Sequence, residues 1–245
     1  NNSFTPYNRP LESLLRRYDL IAFDWDGTLF DSTAIITRCI QLAVQDVGGT
    51  VPTAQAAAYV IGMALMPALA HAAPDVPQEK YPLLNERYRH HYSAHQHDIS
   101  LFDGVLDMLA ELKARHHWLA VATGKSRRGL DRALDASDSR HFFHATRCAD
   151  ESFSKPNPTM LLWLLDELQV PSERTLMIGD TSHDMEMAAA HLPLLRHLDI
   201  DPNESETLQT DLPADKITGW TVCTPETAGG FSAIGYAFGS RLQRA

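Results

Sequence analysis

Asp24 and Asp26 stand one residue apart, and Gly27-Thr28 follows at once. Two carboxylates this close repel each other unless a cation or a phosphoryl group shares their site. Three further polar groups of compatible chemistry lie downstream: Thr123-Gly124, Lys155-Pro156 and the stretch Gly179-Asp180-Thr181-Ser182-His183-Asp184. Together they have the parts for phosphoryl transfer, which needs a nucleophile, donors that neutralise the phosphoryl oxygens and a proton for the leaving group. A carboxylate can be the nucleophile and form an aspartyl-phosphate. A divalent cation held by other carboxylates offsets its repulsion from an anionic ester. Mg²⁺ takes an octahedron of oxygens and keeps several waters, so two or three aspartates and a backbone carbonyl suffice. A lysine adds a point charge, and a threonine hydroxyl with adjacent backbone N–H groups adds directional donors.

Each group ends, or closely follows, an apolar run of strand length: Leu20–Asp24, Trp118–Thr123, the weaker His144–Cys148, and Thr175 to Asp180. In an open parallel sheet ligands bind outside the carboxyl ends of the strands, so all four groups are expected at one edge. Helical spacing recurs over Thr33–Val47, Val105–Arg115, Arg127–Leu134 and Thr159–Leu168, and a last helix opens at Ser182 or Asp184 and runs through Ala190. Asp31-Ser32 can cap the first of these helices, and Gly48-Gly49 with Pro52 ends it. Strand–helix alternation predicts an α/β fold, a Rossmann-like parallel sheet with helices on both faces.

Between the first two strands the chain reads as helix only, over Ala54–Val60, Met63–His71 and Lys80–His97, with Gly62 marking a break. That block is too long for a simple crossover, so residues 33–100 are expected to form an inserted helical cap. Residues 1–32 and 101–245 then make the core. Within it, residues 191–228 break the rhythm and read as an insertion before a last core strand at Phe231–Phe238, or as a rerouted edge strand at Trp220–Cys223.

The chain has 245 residues, 44% of them hydrophobic, which suits one large domain or two modest ones. Its net charge of −10 argues against a nucleic-acid backbone as the main ligand. Cys39, Cys148 and Cys223 share no close spacing and read as buried, reduced thiols. No apolar stretch reaches the roughly 18 residues of a membrane span, and Asn1-Asn2-Ser3-Phe4 carries no signal pattern, so a cytoplasmic protein is expected. His90, His91, His95 and His97 read as a polar cap face rather than a metal site. Lys125, Arg127 and Arg128 read as a solvated helix start.

The four motifs, in this order and at these strand ends, resemble those of the haloacid dehalogenase-like (HAD) phosphatases over roughly Tyr18–Ala190. The helical block resembles the cap of the branch that includes phosphoglycolate phosphatase and β-phosphoglucomutase. The resemblance implies that Asp24 is the nucleophile and Asp26 the general acid and later base. Thr123 and Gly124 would bind the phosphoryl oxygens, and Lys155 would screen nucleophile and phosphate. Mg²⁺ would be held by Asp24, Asp180 and Asp184 with the carbonyl of Asp26. The second aspartate separates phosphatases from the dehalogenases of the family, because an alkoxide leaving group needs a proton and a halide does not. The implied activity is hydrolysis of a small phosphorylated metabolite. A sugar-phosphate mutase and a catalytically idle binding domain are the alternatives. The sequence sets no oligomeric state.

Overall fold

Three short apolar runs form strands buried on both faces, as a parallel sheet covered by helices requires, and a more polar, half-buried strand completes the sheet at one edge. These are β1 (Leu20–Phe23), β2 (Trp118–Thr123), β3 (Ala145–Cys148) and β4 (Thr175–Ile178), all parallel, in the order β3-β2-β1-β4. The computed structural model describes residues 17–190 and, as backbone, residues 196–200 and 217–222. Phe23 pairs with both Val121 and Ile178, and the Asp24 N–H extends the ladder by donating to the Ile178 carbonyl at 2.8 Å. The strand tips are thereby level, and the residues that follow them share one edge.

Side chains alternate across the sheet. Ile21, Phe23, Leu119, Val121 and Ile178 face one core, built with Leu109 and Leu112 of α5 (Val105–Ala114) and Leu130 and Leu134 of α6 (Arg127–Ala136). Leu20, Ala22, Ala120, Ala122 and Met177 face the other, against α7 (Thr159–Leu168) and α8 (Ser182–Ala189). Each fully buried large apolar side chain contributes about 1.5–3 kcal/mol, so the two faces together fix the sheet that carries the site.

Between β1 and β2 the chain forms α1 (Thr33–Asp46), α2 (Ala54–Tyr59), α3 (Leu65–Ala72) and α4 (Tyr81–His95). They enclose an apolar core of their own, with Ile36, Ile40, Val44, Leu69, Val76 and Leu84 at its centre. The chain leaves and re-enters the sheet side by side: Asp31 N–H donates to the Ser100 carbonyl at 2.9 Å, and Phe102 N–H to the Leu29 carbonyl at 3.1 Å. A parallel sheet with flanking helices and a helical cap insertion is thus the fold.

Two local expectations change. Ser32 takes the N-cap position of α1, but its side chain makes no cap bond and turns to Asp26 instead. Helix α8 opens at Ser182, as expected, and the Asp184 carboxylate accepts from the N–H and the hydroxyl of Thr181 just before it, at 3.3 and 2.8 Å. The strand expected near Trp220–Cys223 exists as β6 (Ile217–Val222), but it pairs antiparallel with β5 (Arg196–Ile200) in a separate two-stranded sheet and is no edge of the main one. The strand expected at Phe231–Phe238 lies outside the described residues, as do residues 1–16 and Cys223. Cys39 and Cys148 are buried free thiols, as expected.

Candidate active site

The turn after β1 is shaped by what it must approach. Gly27 has φ +83°, and a Cβ there would collide with the Asp180 carboxylate. Only glycine combines that conformation with that clearance. The turn therefore brings together Asp24, just past the end of β1, and Asp180, just past the end of β4, and Thr28 Oγ1 donates to Asp180 Oδ1 at 3.0 Å. Asp184 arrives from the first turn of α8. Carboxylate oxygens of Asp24, Asp180 and Asp184 lie within 4.8 Å of one another.

Lys155 sits between two of these acids. Its Nζ is 2.6 Å from Asp24 Oδ1 and 2.6 Å from Asp184 Oδ1, and all three side chains are 0% exposed. Burial alone would favour the neutral amine, but Asp184 and Asp24 outweigh it and hold the ammonium charged. One lysine against three acids leaves an excess of buried negative charge. Asp24 Oδ2 is buried with no hydrogen-bond partner among the described residues. An unpartnered carboxylate oxygen inside a group of three acids fits a divalent cation with oxygen ligands.

The electrostatics agree. Burial, then repulsion from Asp184 and Asp26, push Asp24 up to about 7 against the pull of Lys155. Burial, with Asp24 and Asp184 nearby, raises Asp180 well above the usual carboxylate range. Groups raised in the folded state stabilise it below their unfolded values and cease to as pH rises through the folded ones. Metal-free protein is therefore expected to lose this contribution as pH climbs toward 7, where ionised acids repel. Mg²⁺ binds the ionised form, so its thermal stabilisation is expected to be several-fold larger at pH 8 than at pH 5. Scanning calorimetry with and without Mg²⁺ checks this; equal stabilisation at both pH values contradicts it.

Asp26 is placed differently from the other acids. Its carboxylate stands outside the three-acid cluster, accepting from Ser32 Oγ at 2.7 Å and pairing with Lys125 Nζ at 3.0 Å. Thr123 is fully buried at the tip of β2, and its Oγ1 accepts from the Lys125 N–H at 3.1 Å, which leaves the hydroxyl proton to donate elsewhere. Gly124 follows it. A Cβ on Gly124 would lie 2.5 Å from the carbonyl oxygens of Gly62 and Met63, so glycine here lets the cap backbone descend onto the β2 tip. The cap turn stands over the acids: a Cβ on Gly62 would lie 3.9 Å from Asp24 Oδ2. Ala64 N–H donates to Ser154 Oγ at 2.7 Å, and His183 Nε2 meets the Tyr59 carbonyl at 3.0 Å, closing cap against core.

A profile of the haloacid dehalogenase-like hydrolases matches residues 21–191, which contain every residue of this site. The chain belongs to that family. A phosphoglycolate phosphatase of Aliivibrio fischeri is 32% identical over 180 residues, 70% of this chain and 79% of that one. Tyrosine-protein kinase PtkA of Mycobacterium tuberculosis is 33% identical over 174 residues, 70% of this chain and 59% of that one. Among solved structures, a haloacid dehalogenase-like hydrolase from Bacteroides fragilis superposes with TM-score 0.65 at 24% identity, covering 71% of this chain and 83% of that one. That likeness concerns the fold of this HAD-like chain, a hydrolase fold with a carboxylate cluster able to hold a divalent metal.

Sequence reasoning undervalued three residues. Lys125 is not a solvated helix start: its ammonium is held between Asp26 and the Tyr92 hydroxyl, with its side chain 11% exposed. Its place two residues beyond Thr123, at a strand tip, was the available signal. Tyr92 shares a helical face with Tyr88, an apolar face on an otherwise polar helix. Ser32 and Asp26, six residues apart, gave no signal before folding. Arg127 is held by Glu151 and Thr146, and Arg128 is exposed. Of the cap histidines, His91 pairs with Asp46 and His95 faces Asp98. Among the described residues no helix is long and apolar enough to cross a membrane.

Proposed function

We propose that this HAD-like chain is a Mg²⁺-dependent phosphatase that hydrolyses a small phosphomonoester through an aspartyl-phosphate on Asp24. The observation that carries the reading is Lys155 seated between Asp24 and Asp184, all three buried, with the half-buried Asp180 beside them at one rim of the sheet. Asp24 attacks phosphorus; the bond to the ester oxygen breaks, and Asp26 gives that oxygen a proton. Asp26 then takes a proton from the water that attacks the aspartyl-phosphate and releases inorganic phosphate. Lys155 balances the negative charge gathered on Asp24 and the phosphoryl oxygens, and Thr123 and the Gly124 N–H donate to those oxygens. Asp24, Asp180, Asp184 and the Asp26 carbonyl would hold Mg²⁺, which supplies charge neutralisation of the phosphoryl group when bound.

Residues 33–100 act in this reading as a cap that swings on the paired linkers and shuts out water. The cap turn stands so close to Asp24 that a small leaving group is favoured, and phosphoglycolate is the first candidate because a 32% identical relative carries that activity in its name. The test is phosphate release over a panel of small phosphomonoesters with and without Mg²⁺. Mg²⁺-dependent release is expected. Release from none of them, or release indifferent to Mg²⁺ and chelator, contradicts the proposal.

A further inference from the structure

Lys125 joins three parts of the molecule through one ammonium group. It lies on the loop after β2. Its Nζ is 3.0 Å from Asp26 Oδ1 on the turn after β1, and donates to Tyr92 Oη of cap helix α4 at 3.0 Å. It also lies over the rings of Phe30 and Tyr92, 5.8 and 5.1 Å from their centroids. A pair this enclosed is screened far less than a surface salt bridge. Ser32, in the linker to the cap, donates to the same Oδ1 of Asp26 from another direction. Both contacts fall on one oxygen, so Oδ2 is the oxygen of this carboxylate that neither takes.

We propose that Lys125 is a positioning residue for Asp26, and that Tyr92 makes this positioning conditional on a closed cap. The proposal rests on the phosphatase reading given above. When α4 is seated, Tyr92 offers the ammonium a hydroxyl and a ring face, and the Lys125–Asp26 pair is enclosed. When the cap lifts, the ammonium loses both and gains water, which weakens its hold on the carboxylate. Asp26 is thus aligned for proton transfer when substrate is enclosed, and less so when the site is open to solvent. A lysine that bound substrate directly would affect all esters alike. One that aligns a proton donor matters most where the leaving group most needs a proton.

The experiment compares kcat/KM for two phosphomonoesters, an aryl phosphate with a weakly basic leaving group and an alkyl phosphate with a strongly basic one. Lys125→Met is expected to lose about thirtyfold on the alkyl ester and about threefold on the aryl ester. Tyr92→Phe, which keeps the ring and removes the hydroxyl, should shift the ratio in the same direction by a smaller factor. Lys125→Arg should restore part of the ratio. Hydrogen exchange of α4 in substrate-free protein should quicken in both Lys125→Met and Tyr92→Phe. Equal losses on the two esters overturn the proposal, as does a Tyr92→Phe protein with wild-type ratio and wild-type α4 exchange. If the wild-type protein hydrolyses neither ester, the phosphatase reading fails on its own, and unchanged α4 exchange then separately overturns the Tyr92–Lys125 tie.

Discussion

Asp24→Asn is expected to lower Mg²⁺-dependent phosphate release by about four orders of magnitude or more, as loss of a covalent nucleophile does. The variant should nonetheless fold. Asp24 is fully buried, and its carboxylate is pushed up to about 7 by that burial and by Asp184 and Asp26. A neutral amide of the same shape relieves that repulsion, so the metal-free variant should melt no lower than wild type at pH 8. Loss of turnover together with loss of fold would leave the role unassigned to chemistry; loss of turnover with an intact melt assigns it. Parallel phosphate-release and calorimetric measurements, with deamidation excluded by mass, make the comparison.

Lys155→Met is expected to damage both stability and rate. The ammonium touches two carboxylates at 2.6 Å in a site none of the three side chains shares with water. Removing one partner of a buried ion pair costs about 3–5 kcal/mol, because the remaining charge stays buried without compensation. Here two acids are left. Turnover should fall by about 10²–10³, the usual effect of removing one preorganised charge from a phosphoryl or oxyanion site. Mg²⁺ should recover part of the stability by neutralising the same acids, and little of the rate. Denaturant unfolding with and without Mg²⁺ reads the first effect and steady-state kinetics the second. A variant as stable and active as wild type would remove Lys155 from the account.

Much of this was legible before any coordinates because burial on both faces forces continuous apolar runs. Leu20–Phe23, Trp118–Thr123 and Thr175–Ile178 announce themselves that way, and their polar successors follow at the tips. The acids at 24, 180 and 184 could be grouped because parallel strands share an edge. What sequence could not supply was side-chain direction. Whether Ser32 caps α1 or holds Asp26 depends on where the linker turns, and it holds Asp26. Whether Lys125 faces solvent or an acid depends on where α4 lands, since Tyr92 closes the space around it. After Ala190 the strand near Trp220–Cys223 was legible, but its partner was not, because Arg196–Ile200 carries too few apolar residues to read as a strand. The strands found there, Arg196–Ile200 and Ile217–Val222, pair with each other instead of joining the main sheet.

The most direct measurement is a rapid acid quench of the Mg²⁺-loaded enzyme during turnover, followed by mass analysis of the tryptic peptide 18–38 that contains Asp24 and Asp26. The account predicts one added phosphoryl group on that peptide, on Asp24, labile to hydroxylamine and absent from Asp24→Asn. Steady phosphate release with an unmodified peptide, or full turnover by Asp24→Asn, would contradict it.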